Sequence, residues 1–188
     1  LTPIWIGLGG VGLFALGTLW LVQRDYRRGQ ELTPLSVFTV WTLYVIHFVL
    51  ELYVAYERVY PMRFATGLLV VIGMGLAAAG TILYALGILH LRSIRRMSGL
   101  DTSELITGGV YSWTRNPQNV GWILFLFGVG LIARSWLALI LAALFTAVFA
   151  AYVPLEERHL ESIYGQAYRA YKGHSHRYLG LPRPDRSP

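Results

Sequence analysis

The stretch VGWILFLFGVGLIARSWLALILAALFTAVFAAYV, residues 120–153, decides the fold. It contains a single charged residue, Arg134. A helix that crosses a bilayer needs about 20 mostly apolar residues. Two apolar blocks separated only by Arg134 and Ser135 therefore predict a tight helical hairpin over 118–133 and 136–153. Three more blocks of the same character lie upstream, at 64–91, 35–56 and 4–22. The reading is an all-α integral membrane bundle of about five transmembrane helices, in one domain, with a C-terminal cytoplasmic helix. The 64–91 block is long enough to tilt or to project beyond the bilayer. No Lys or Arg precedes Arg24, so residues 4–22 lack the positive start of a secretory signal and read as a retained span.

Composition agrees. Of the 188 residues 55% are hydrophobic and only 14% charged, against roughly 25% charged in soluble domains. The mean hydropathy is +0.49. The net charge of +6 does not point to nucleic acid, because the basic residues fall in short segments between apolar blocks instead of on one basic face. There is no cysteine, which excludes disulfides, thiolate metal sites and thiol nucleophiles.

The basic residues also set an orientation. Arg24, Arg27, Arg28, Arg92, Arg95, Arg96, Arg115 and the six basic residues of the tail fall on one side of a five-span chain. Only Arg58, Arg63 and Arg134 fall on the other. The positive-inside rule places the N-terminus outside and the tail in the cytoplasm. Glycines punctuate the first span (Gly7, Gly9, Gly10, Gly12, Gly17) and the third (Gly67, Gly73, Gly75, Gly80, Gly87). They read as close helix packing, with the alternative that Gly73 and Gly75 admit a ligand to the backbone.

Two polar stretches carry the chemistry. The first, residues 105–121, ends in Arg115-Asn116-Pro117-Gln118-Asn119 at the start of the fourth span. Pro117 suits the first helical position and Asn116 the cap. Free N–H groups at that helix start form an anion-binding point, and Arg115 adds a permanent charge. Gln118 and Asn119 place amides at membrane depth, where polar groups are costly unless used. An ordinary capped helix with an interfacial arginine accounts for the same residues. The second stretch follows the fifth span. Glu156 and Glu157 read as the first turn of a helix, where carboxylates are favoured. Leu160, Tyr164, Tyr168 and Tyr171 form an apolar-aromatic stripe that suits lipid or the hairpin.

Gly109, Tyr111, Arg115, Asn116 and Pro117, then a hairpin, then Glu156, Glu157, Leu160, Tyr164, Gly165, Tyr168 and Tyr171 resemble the isoprenylcysteine carboxyl methyltransferase and phospholipid methyltransferase family. The resemblance covers residues 64–184, and the first two spans match in hydropathy only. It implies S-adenosylmethionine as cofactor, held at the cytoplasmic face, and a lipophilic acceptor arriving from the bilayer. On this resemblance Gly109, Tyr111, Asn116, Pro117, Gln118, Glu156, Glu157 and Tyr168 are the cofactor-binding candidates. Arg115, Glu156 and Glu157 are the catalytic ones, with Arg115 placed to hold an anionic acceptor. The family often has His where Asn116 stands, an aromatic where Asn119 stands, and Arg just before the paired glutamates, at Pro154.

His47 and Glu51 share one face of the second span, with Tyr44 a turn earlier. Intramembrane ionisable residues face the bundle interior, so His47, Glu51 and Asn119 are the acceptor-binding candidates, with a structural His47–Glu51 pair as the alternative. His90, at the end of the third span, reads as an interfacial histidine, and His174 and His176 form a His-x-His pair without a third ligand of metal-site spacing. Two other functions stand beside methyl transfer: an NADPH-dependent membrane reductase, and a non-catalytic transporter or assembly protein. The acceptor's identity and the oligomeric state are not encoded in these patterns.

Overall fold

The structure, a computed structural model, describes residues 2–29, 31–63, 67–91, 100 and 102–181, with side chains from Trp5 onward. Arg92, Arg95, Arg96, Arg183 and Arg186, part of the charge pattern above, lie outside the described residues, as does the start of the 64–91 block. The described elements are all helical. They are α1 (Thr2–Arg27), α2 (Pro34–Tyr56), α3 (Gly67–Leu91), a short 3-10 turn (Gly109–Ser112), α4 (Pro117–Ala133), α5 (Trp136–Tyr164) and α6 (Gln166–His174). Four of them, α1, α2, α3 and α5, are long and apolar enough to cross a membrane, and α4 is a shorter apolar helix. The chain is an integral membrane protein.

Local sequence explains the ends of these helices. Thr33 caps α2, its hydroxyl accepting from Ser36 N–H, and Pro34 occupies the first turn. Asp25, buried at the end of α1, accepts from the Thr33 N–H and hydroxyl and from the Ser36 hydroxyl at 3.0, 2.7 and 2.5 Å, which ties α1 to α2. The α4–α5 hairpin turns at Arg134, whose φ of 55° is left-handed. Ser135 then caps α5, accepting from Ala138 N–H and donating to the Val59 carbonyl at 2.6 Å. Trp5, Tyr56, Tyr60 and Trp136 are exposed around this end of the bundle, where an aromatic belt meets the membrane–water boundary.

The tightest packing joins α3 to α4. Gly73, Gly80 and Gly87 recur at seven-residue spacing and face Gly128, Gly121 and Gln118 of the antiparallel α4. A Cβ on Gly80 would lie 2.5 Å from the Gly121 carbonyl oxygen, and one on Gly128 would lie 2.6 Å from Ala77 N. The backbones therefore touch, as small residues permit. Gly73 serves this contact and not a ligand, while Gly75 and the glycines of α1 have no neighbour within 4 Å of an added Cβ. Gly80→Ala is expected to push the helices apart and cost about 1–3 kcal/mol. Gly75→Ala should stay within about 0.5 kcal/mol of the parent. Thermal unfolding of the two variants in detergent compares them directly.

Two expectations are corrected. First, α5 does not end at residue 153: it runs unbroken through Pro154 to Tyr164. Glu156 and Glu157 thus lie far from a helix start, and the helix-dipole argument for them fails. Pro154 only removes the N–H that Ala150 would have received. The break comes at Gly165, at φ 56°, a conformation that glycine adopts without a Cβ penalty. Second, the tyrosine stripe does not face lipid. Tyr168 and Tyr171 are buried with Tyr111, and Leu91, Leu105, Ile106, Leu160 and Tyr164 pack around them.

Candidate functional site

Helix α4 has 17 residues, about 25 Å of rise, against a hydrocarbon core of about 30 Å. It is thus shorter than the core, and its first turn packs beside Gly87 of α3. The segment Arg115–Asn119 there borders a cavity of about 240 Å³. Six walls meet there. Thr18 and Leu19 come from α1; Val37, Trp41 and Tyr44 from α2; Tyr84 and Leu91 from α3. Gln118 and Asn119 come from α4; Phe145, Phe149, Tyr152, Glu156 and Glu157 from α5; Tyr168 and Tyr171 from α6. Glu104, Leu105, Ile106 and Tyr111 close the side towards the tail.

The two adjacent glutamates have opposite environments. Glu157 is buried and neutralised twice. Arg115 donates from Nε and Nη2 to its Oε1 at 2.9 and 2.8 Å, and Arg177 donates from Nε and Nη2 to its Oε2 at 3.1 and 2.6 Å. Arg115 also donates from Nη1 to the Ser175 carbonyl at 2.6 Å, so its guanidinium is committed within the protein. Glu157 in turn holds Arg177 charged, raising its pKa. Glu156 lies on the cavity wall, half-buried, and among the described residues it has no hydrogen-bond or ion-pair partner. One carboxylate is a structural anchor and the other is available to a ligand.

The residues after α6 hold this arrangement from outside. Arg115 N–H donates to the His176 carbonyl at 2.9 Å, and Asn116 Nδ2 donates to the Arg177 carbonyl at 2.9 Å. Asn116 occupies the cap position of α4, yet its side chain makes no capping bond. It secures the tail instead, which corrects the capping expectation. Tyr171 OH donates to the Tyr111 carbonyl at 2.8 Å. Burial pushes the phenols of Tyr111, Tyr168 and Tyr171 up in pKa, so at neutral pH they are donors and apolar walls.

Of the sequence candidates, Tyr111, Arg115, Asn116, Gln118, Asn119, Glu156, Glu157 and Tyr168 line one cavity. Gly109 and Pro117 do not. Gly109, at φ +61°, packs on the His90 ring, which a Cβ there would strike at 1.9 Å; Pro117 is buried against Gly87. His47 and Glu51 are also outside the lining. His47 Nε2 donates to the Leu141 carbonyl at 3.0 Å, and Glu51 is buried without a hydrogen-bond partner. Tyr44 reaches the cavity in their place and donates to Asn119 Oδ1. Sequence reading missed Trp41, Tyr84, Tyr152 and Arg177. The one available signal was chemical: a buried glutamate requires cations, and the tail holds six.

Beyond the cavity, Tyr152 OH lies 3.5 Å from Tyr26 OH, and Tyr26 stacks on the buried His159 at 4.2 Å. These contacts fix the end of α1 against the extension of α5. The family model for phospholipid methyltransferase matches residues 62–167, more than half of the chain. That region includes all of α3, α4 and α5, with both glutamates. No curated protein and no solved structure matches the chain.

Proposed function

The chain belongs to the phospholipid methyltransferase family, and we propose that it transfers a methyl group from S-adenosylmethionine to a lipophilic acceptor at the tail-side face of the membrane. It is a membrane methyltransferase; the cofactor, the acceptor and the side are our reading. The charge count makes the tail side cytoplasmic.

The observation that carries the reading is Glu156, an unpaired carboxylate in an aromatic cavity. S-adenosylmethionine, when bound, supplies an electrophilic methyl group on a cationic sulfonium, beside an amino group and a carboxylate. The residues fit it. Glu156 offers the countercharge, and the rings of Tyr44, Tyr152 and Tyr168 offer faces that attract cations. The first N–H groups of α4 have no partner within their own helix and suit the carboxylate. Methyl transfer is an in-line displacement, so the protein's task is alignment and electrostatics.

The acceptor's route follows from packing. α2 packs on α1, α4 and α5, α3 packs along α4, and α2 and α3 are not closely packed on each other. Trp41 and Tyr44 face Tyr84 and Leu91 across the cavity between them, so the lane from the bilayer runs between α2 and α3. Arg115 leaves the role of anion holder, because Glu157 neutralises its charge and, with the Ser175 carbonyl, takes three of its five N–H donors. Glu156 and Asn119 become the polar groups nearest an incoming headgroup, which favours an amine over a carboxylate acceptor.

Calorimetric titration of detergent-solubilised protein with S-adenosylmethionine, S-adenosylhomocysteine and NADPH tests the cofactor assignment. Saturable binding of the first two, with none of NADPH, is expected. Binding of NADPH alone would replace methyl transfer by reduction, and binding of none would remove both enzymatic readings.

A further inference from the structure

We propose that residues 178–181, which follow the Arg115–Glu157–Arg177 cluster, are a membrane anchor that dips into the tail-side leaflet beside α5. The occupant of their apolar surface is the bilayer. Tyr178, Leu179 and Leu181 are 44%, 54% and 74% exposed, an apolar run within a tail that is otherwise basic and polar. Depth along α5 places them. From Trp136, in the aromatic belt at the far end, about 20 residues cross the hydrocarbon core, so the near boundary falls close to residue 156. Phe149 is about 20 Å from Trp136 along the helix, well inside that boundary.

Tyr178 packs edge-on against Phe149, with ring centroids 6.2 Å apart. The chain therefore turns back from the water-facing Arg177 towards the membrane interior. Arg177 is clamped to Glu157 at the boundary, and four extended residues reach at most about 14 Å from it. The segment stays at interfacial depth, where tyrosine and leucine are favoured. Its fold keeps the leucines outward, since Gly180 sits against the His176 ring, 2.3 Å from where a Cβ would stand. Leu179 and Leu181 thus keep their side chains exposed beside Tyr178.

The absence of cysteine makes the test direct. Leu181→Cys, Leu179→Cys and the control Arg169→Cys, on the exposed face of α6, are each labelled with an environment-sensitive fluorophore. The proteins are then reconstituted in phosphatidylcholine vesicles containing nitroxide-labelled phosphatidylcholine. Labels at 179 and 181 are expected to be quenched by the nitroxide lipid several-fold more than the label at 169. They are also expected to be several-fold less accessible to iodide. Iodide access equal to that at 169 would overturn the anchor. Protection from both quenchers would overturn it too, and would assign the surface to a protein contact such as a second copy of the chain.

Discussion

Glu157→Ala is expected to lower stability by about 3–5 kcal/mol, the cost of leaving a buried charge without its partner. The charge left behind is Arg115, whose side chain is 8% exposed against 5% for Glu157. Its Nη1 keeps the Ser175 carbonyl, but Nε and Nη2 lose both of their hydrogen bonds. Arg115→Ala should also be damaging, because Glu157 Oε1 loses both of its hydrogen bonds and only the partly exposed Arg177 is left to neutralise the carboxylate. Arg177→Ala should cost much less, since its side chain is 41% exposed and water screens the pair. A double replacement, Arg115→Met with Glu157→Leu, removes both buried charges and should recover much of the loss. Thermal unfolding in detergent distinguishes these cases. Equal and small losses in all four variants would show that the cluster is not a structural lock.

Glu156→Gln is expected to do the reverse. The side chain has no partner to lose among the described residues, so the unfolding temperature should stay at the parental value. The amide keeps the shape and removes the charge facing the cavity. If that charge stabilises the cationic cofactor and the transferring methyl group, S-adenosylmethionine-dependent methylation of membrane lipid should fall by about a hundredfold or more. Cofactor affinity measured on the same preparation separates binding from transfer. Activity within a few-fold of the parent, in a folded protein, would remove Glu156 from the site. The adjacent glutamates thus make opposite predictions, one for stability and one for chemistry.

Much of this was legible in the chain. Local periodicity and the length of apolar runs gave the five helices, because the bilayer sets a length that the sequence must match. The turn at Arg134 and Ser135 and the start of α4 at Pro117 were equally local. The Gly73, Gly80 and Gly87 spacing announced close packing, although not that α4 would be the partner. The end of α5 was placed at residue 153 because the apolar block stops there, yet the helix runs on through Pro154 to Tyr164, since a helix already packed on its neighbours tolerates one missing N–H. His47 and Glu51 lie in the bundle interior but outside the cavity lining, because intramembrane polarity marks the interior without saying which part of it.

The sequence by itself determined a bundle of apolar helices, the family to which it is similar, and the two polar stretches that meet. Those properties depend on residue type and near-neighbour spacing. Which glutamate is free was decided only by the tertiary structure. The answer depends on Arg115, 42 residues before Glu157, and Arg177, 20 residues after it, closing on the same carboxylate. A buried carboxylate needs countercharge wherever the chain can deliver it, and helical periodicity does not record that delivery. The cavity was likewise a tertiary outcome: α1 and α2, outside the matched region, supply Thr18, Trp41 and Tyr44 to its walls.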